Sequence, residues 1–276
     1  MTPPTEARLE FVRSQAQLSF PEVKEADEPE EPVVEAPPEP PPPPPEPEID
    51  LGDLSSPPTL LDYGLRAPEG ASHLIELATK LEEKGEFQRA LLAWERVIDL
   101  SKPDETQLTT ALAAIRRLRP TLPDWNTKPE TAITITLHAG TGRKFSKPIA
   151  PVLTEVAKEL EHASSGILKV KTQVAAGKTT AKGASPVALW LSGPDKKSVS
   201  TEVLSFTVEK PEALREEVLK TTYQLIRGHM GRTTAYTAPT EPAGNETMQD
   251  ALATRITRLC WNELATSLNL PPKKPD

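Results

Sequence analysis

Leu74–Pro103, LIELATKLEEKGEFQRALLAWERVIDLSKP, decides how the first folded half of this 276-residue chain is read. Leu74, Leu77, Ala78 and Leu81 recur at spacings of three and four, which puts them on one face of a helix ending near Lys84. Gly85 breaks the pattern, and Phe87, Ala90, Leu91, Trp94, Val97 and Ile98 restart it over Glu86–Ser101. Small Ala78 and Ala90 allow two helices to approach closely, while Phe87 and Trp94 supply bulk. Pro103 closes the second helix. The pattern predicts an antiparallel helical hairpin, with Ser72 as the N-cap of its first helix. A third helix follows over Glu105–Leu118, burying Leu108, Ala111, Leu112 and Ile115.

The hairpin, with its small and large apolar positions, resembles a single tetratricopeptide repeat over about 34 residues, and the third helix resembles the cap that follows the last repeat of an array. The resemblance implies partner recruitment without chemistry. Phe87, Leu91 and Trp94 are the expected partner-binding residues, with no catalytic, cofactor or metal site. A lone repeat cannot build a peptide groove, so protein contact is expected through the hairpin face or by self-association that stacks two hairpins.

Upstream, the composition changes sharply. Residues 25–65 hold twelve Asp and Glu and no Lys or Arg, whereas residues 1–24 balance. Since the chain totals −8, residues 66–276 carry +4. The run Pro40–Pro45 centres a proline-rich stretch in which neither helix nor sheet can propagate. Pro32–Pro47 as polyproline II would extend on the order of 50 Å. Residues 1–65 therefore read as a disordered acidic, proline-rich arm. At its end Leu51, Leu54, Leu60, Leu61 and Tyr63 are expected to clasp the helical body. No apolar run reaches the length of a membrane span, and Met1–Phe20 lacks the apolar core of a signal peptide. A cytoplasmic protein is expected, with association at the cell envelope as the alternative.

Downstream of the Pro120, Pro123 and Pro129 connection the period changes from helical to strand. Ile133–Leu137 alternates as a strand, Pro151–Ser164 is an amphipathic helix, and Leu168–Val174 alternates with Lys169 and Lys171 outward. Val187–Leu191 and Val203–Val208 form a hairpin, and Glu212–Met230 and Glu246–Leu268 are helices. The fold class is α+β: a small helical bundle over 66–120, then over 130–270 a four-stranded sheet with helices on one face.

Candidate chemistry is thin. Ala175–Thr180 ends like a phosphate loop, but Thr172 stands where its first glycine belongs and Pro186 denies the helix that must follow. His73, His138, His162 and His229 form no paired spacing and none neighbours a carboxylate at ligand spacing. Cys260 lies between Leu259 and Trp261, where a thiol packs as a small hydrophobe. An enzyme or small-ligand domain in 130–270 would need a pocket converging near His138, Arg143 and His229. Arg116, Arg117, Arg119, Lys169, Lys171, Lys178, Lys182, Lys196 and Lys197 could converge as a basic face. Without interleaved aromatics, and with an acidic arm to compete, the sequence argues against nucleic acid. The expectation is a non-enzymatic adapter.

Overall fold

The computed structural model describes residues 49–177, 186–195, 197–208, 211–233 and 236–270. Most of the expected arm, up to residue 48, and Lys178, Lys182 and Lys196 lie outside them. The hairpin forms as α1 (Ala71–Glu83) and α2 (Phe87–Asp99), turning at Gly85, whose φ of 79° is left-handed. The N-cap of α1 is Gly70, not Ser72. The Ser72 hydroxyl instead accepts from Gln107 Nε2 at 2.9 Å, on the next helix. That helix, α3 (Glu105–Leu118), starts with a reciprocal capping box between Asp104 and Gln107. Leu74, Leu77 and Leu81 of α1, Leu91, Trp94 and Val97 of α2, and Leu112 and Ile115 of α3 share one apolar core.

Residues 49–63 belong to this body. Ile49, Leu51, Leu54 and Tyr63 pack on the helical core, as the clasp requires, and Leu60 packs on the second core. Asp50 pairs with Arg66, and Asp62 lies 3.5 Å from Arg89. Leu61 departs from the expectation and stays 69% exposed. The compact unit accordingly runs Glu48–Asp276, so its start precedes the expected boundary at residue 65. The bundle and the α+β part keep separate cores within that single unit.

The second part is a mixed sheet in the order β2-β1-β3-β4. Strands β1 (Ile133–Gly142) and β2 (Leu168–Gly177) pair in parallel, joined by α4 (Arg143–Ala163). Strands β3 (Pro186–Ser192) and β4 (Leu204–Thr207) add as an antiparallel hairpin. Helix α4 starts eight residues earlier than the sequence suggests, with Pro148 and Pro151 inside it. Both prolines face water, where the carbonyls they leave unbonded can be solvated. Beyond β4 come α5 (Leu214–Thr233), α6 (Met248–Thr254) and α7 (Arg258–Asn269). The single last helix expected over Glu246–Leu268 is thus two. Thr257 interrupts it, because its side chain caps α7 through the Cys260 amide at 3.1 Å.

Alternation sorts the sheet into two faces. Ile135, Leu137, Ala139, Leu168, Val170, Val187, Leu189 and Leu191 turn inward to a core shared with α4, α5 and α7. Thr134, Thr136, His138, Lys169, Lys171, Gln173, Ala188, Trp190, Ser192 and Ser205 occupy the opposite face. At the edge strand β2, Glu161 of α4 accepts the Val170 amide at 2.8 Å.

Candidate interaction surfaces

Two of the three expected contact residues are core. Leu91 is 1% and Trp94 4% exposed, and Trp94 Nε1 donates to Glu82 at 2.7 Å. Phe87, at the start of α2, is 45% exposed. The hairpin cannot offer the first two to a partner without coming apart. The reason is that α2 is buried around its whole circumference, from Arg89 to Asp99. Its apolar side meets α1 and α3, and its charged side meets α7 of the sheet-bearing part.

That charged contact is built from few residues. Arg258, 1% exposed, places Nε 3.0 Å from both carboxylate oxygens of Glu95, which is fully buried. Arg258 Nη1 reaches Gln88 at 3.3 Å, and its guanidinium lies 4.9 Å from the centre of the Trp125 ring. One turn further along α2, Arg96 donates to Asp99 at 2.6 Å, and Thr257 donates its hydroxyl to the same carboxylate at 2.8 Å. Arg119, just past α3, donates to the carbonyls of Ala163 and Ala253, the last turns of α4 and α6. A cation there answers the negative end of each helix. Burial lowers the Arg119 pKa to about 10, so it remains charged at neutral pH.

Burial also pushes the Asp99 carboxyl up to about 6, against the opposing pull of Arg96 and Thr257. The folded state therefore takes up this proton more readily than the unfolded chain. Its contribution to stability is complete below about pH 4 and is lost as pH rises through about 6. Asp99→Asn has no such pH dependence. The variant's stability relative to the parent should rise between pH 4 and 7 by up to about 3 kcal/mol and then level off. Urea unfolding at a series of pH values reads this directly, and a flat difference would refute it.

His138 and His229, two of the three positions expected to line a pocket, do not meet. His138 stands on the outward sheet face, whereas His229 is buried on α5 with Nε2 2.7 Å from Ser267 Oγ of α7. Arg143 opens α4. Nε2 of His73 lies 2.9 Å from Glu69, a carboxylate neighbour the sequence reading missed. Cys260 is buried, and burial pushes its thiol up to about 12, in keeping with a packing role. Ala175 and Ala176 continue β2 and so do not form a loop. The basic positions divide. Arg116 pairs with Glu246 at 3.1 Å and Arg117 with Glu82 at 2.7 Å, whereas Lys169 and Lys171 are exposed on the outward face of the sheet.

That face carries a feature the sequence reading did not single out. The β1–β3 register sets His138 opposite Trp190, and the two rings stack with centroids 4.8 Å apart and planes 3° from parallel. His138 Nε2 lies 2.8 Å from Ser192 Oγ, and partial burial lowers its pKa, favouring the neutral ring. Trp190 leans over Gly140, where a Cβ would sit 3.4 Å from the indole.

Among the described residues no helix is long and apolar enough to cross a membrane, and no group of His, Cys, Asp and Glu is arranged to hold a metal ion. No family model, curated protein or solved structure matches this chain.

Proposed function

We propose that this chain is a non-enzymatic protein-interaction protein, an adapter in which a proline-rich arm gives reach and the helical part, resembling one tetratricopeptide repeat, meets a protein partner. What carries this reading is the apolar surface left in water on that part. Leu65 is 95%, Leu61 69% and Phe87 45% exposed. Leu61 and Leu65 border a groove of about 310 Å³ that Leu51, Tyr63, Arg66 and Arg89 also line. Covering an exposed leucine is worth roughly 1.5–3 kcal/mol, so two or three such side chains suffice to anchor an apolar segment of a partner. The contact is thereby assigned to Leu61, Leu65 and Phe87, and Leu91 and Trp94 hold the hairpin together from within.

The test is the double variant Leu61→Glu/Leu65→Glu in the full chain. Both side chains are exposed, so unfolding free energy should stay within about 0.5 kcal/mol of the parent. Proteins crosslinked to the parent chain should be lost from the variant, and a concentration-dependent dimer in sedimentation velocity, if the partner is a second copy, should be lost with them. An unchanged set of crosslinked partners and an unchanged oligomeric state would remove the reading.

A further inference from the structure

We propose that the open face of the sheet is a second binding surface, and that it takes single-stranded nucleic acid. It lies in the other part of the compact unit and does not depend on the leucine-lined groove. Parallel pairing of β1 with β2 and antiparallel pairing of β1 with β3 align side chains in rows across the face. One row is Gln173, His138 and Trp190; the next is Lys171, Thr136 and Ser192; Lys169 follows beside Thr134. The aromatics missing from the neighbourhood of the lysines in sequence are thus supplied from two other strands.

Three properties of the face favour a nucleic acid strand over other occupants. First, no Asp or Glu stands at an outward position of the four strands, and Lys169 and Lys171 have no ion-pair partner among the described residues. The charge is complementary to phosphate. Second, the half-buried His138–Trp190 pair is already stacked, with His138 oriented by Ser192, so ordering it on binding costs little. Bases gain from stacking on such rings whatever their identity, and that π-stacking is not open to an acidic protein chain without aromatic side chains. Third, the remaining side chains are small or hydrogen-bonding (Thr134, Thr136, Gln173, Ala188, Ser192, Ser205), which leaves a shallow platform where unpaired bases can lie flat. A duplex presents its bases stacked upon one another and cannot use the rings.

The full-length chain is titrated into fluorescein-labelled 20-nucleotide oligo-dT and oligo-U, and anisotropy is read between 50 and 300 mM salt. Saturable binding is expected at 50 mM salt, weakening steeply as salt rises. Lys169→Ala/Lys171→Ala should cost at least about tenfold at 50 mM, and should reduce the salt slope by about 1.4, some 0.7 for each phosphate no longer neutralised. Trp190→Ala should cost about tenfold or more while leaving the slope in place. Trp190→Phe should keep most of the affinity, and comparing its intrinsic fluorescence on binding with the parent's assigns any quench to that indole. Lys84→Ala/Lys102→Ala, on the helical part, serves as the control and should bind as the parent does. Circular dichroism melts establish that each variant is folded. The proposal is overturned by absence of binding at 50 mM salt, by an unchanged slope in the sheet lysine variant, or by equal affinity for duplex. It is also overturned if polyglutamate, or a peptide of residues 25–48, binds this face as tightly as the oligonucleotides.

Discussion

Arg258→Ala is expected to destabilise the compact unit by about 3–5 kcal/mol, the largest single effect foreseen for this chain. The substitution leaves the Glu95 carboxylate without its cation in a place where it is fully buried and where Arg258 contacts both of its oxygens. It also removes the cation over Trp125 and the bond to Gln88. A surface ion pair would be worth a fraction of this, because water would take over the abandoned carboxylate. Here water has no ready access. The companion variant Glu95→Leu/Arg258→Met separates the penalty of an orphaned charge from the worth of the pair. It removes both charges and keeps similar volumes, so most of the forfeited stability should return. Urea unfolding followed by tryptophan fluorescence and by far-ultraviolet dichroism checks both statements. In the parent the two probes should coincide, since Glu95 lies in the helical bundle and Arg258 at the start of the helix packed under the sheet. A destabilisation below about 1 kcal/mol in Arg258→Ala would mean that the pair is not the mainstay of this contact.

Gly166→Ala is expected to cost about 2–5 kcal/mol, through two additive physical causes. At φ 77° the residue sits in the left-handed region, which penalises any Cβ. That Cβ would moreover be driven into the carbonyl oxygen of Asn126, a backbone atom that cannot swing aside as a side chain would. The neighbouring Ser165 is also left-handed, at φ 56°. Its hydroxyl accepts the Trp125 amide at 2.7 Å and its carbonyl accepts the Asn126 amide at 3.1 Å. The turn after α4 thereby fixes where Trp125 stands, and Trp125 carries the guanidinium of Arg258. Combining Gly166→Ala with Arg258→Ala should therefore cost less than the sum of the two, by at least about 0.5 kcal/mol. Strict additivity would show that the turn and the ion pair act separately.

Local signals in the sequence were sufficient wherever an element is specified by its own residues. Asp104 and Gln107 mark the start of α3 by mutual hydrogen bonds, and the helix occupies Glu105–Leu118 as the pattern requires. Gly85 likewise turns the hairpin by itself. What was not legible depends on partners remote in the chain. Glu95, Arg96 and Asp99 look like the wetted side of an amphipathic helix, and only the arrival of Thr257 and Arg258 turns that side inward. The same arrival explains the break between α6 and α7. Thr257 is committed both to the Cys260 amide and to Asp99, and those bonds outweigh a continuous apolar stripe. The contact surface suffered for a related reason: Leu91 and Trp94 are apolar enough to be either anchor or core, and α3 on one side with Glu82 on the other makes them core. The His138–Trp190 stack was hidden altogether, since a separation of 52 residues along the chain gives no hint that the two strands are neighbours.

The bond from Glu161 to the Val170 amide bears on how copies of this chain behave at high concentration. Strand β2 ends the sheet, and an uncovered strand of that kind invites another molecule to add on and begin a fibril. The carboxylate already occupies one of the donors such a newcomer would need, and Lys169 and Lys171 would repel their own counterparts across a growing ribbon. The same few side chains thus work against the addition of another copy at this edge of the sheet.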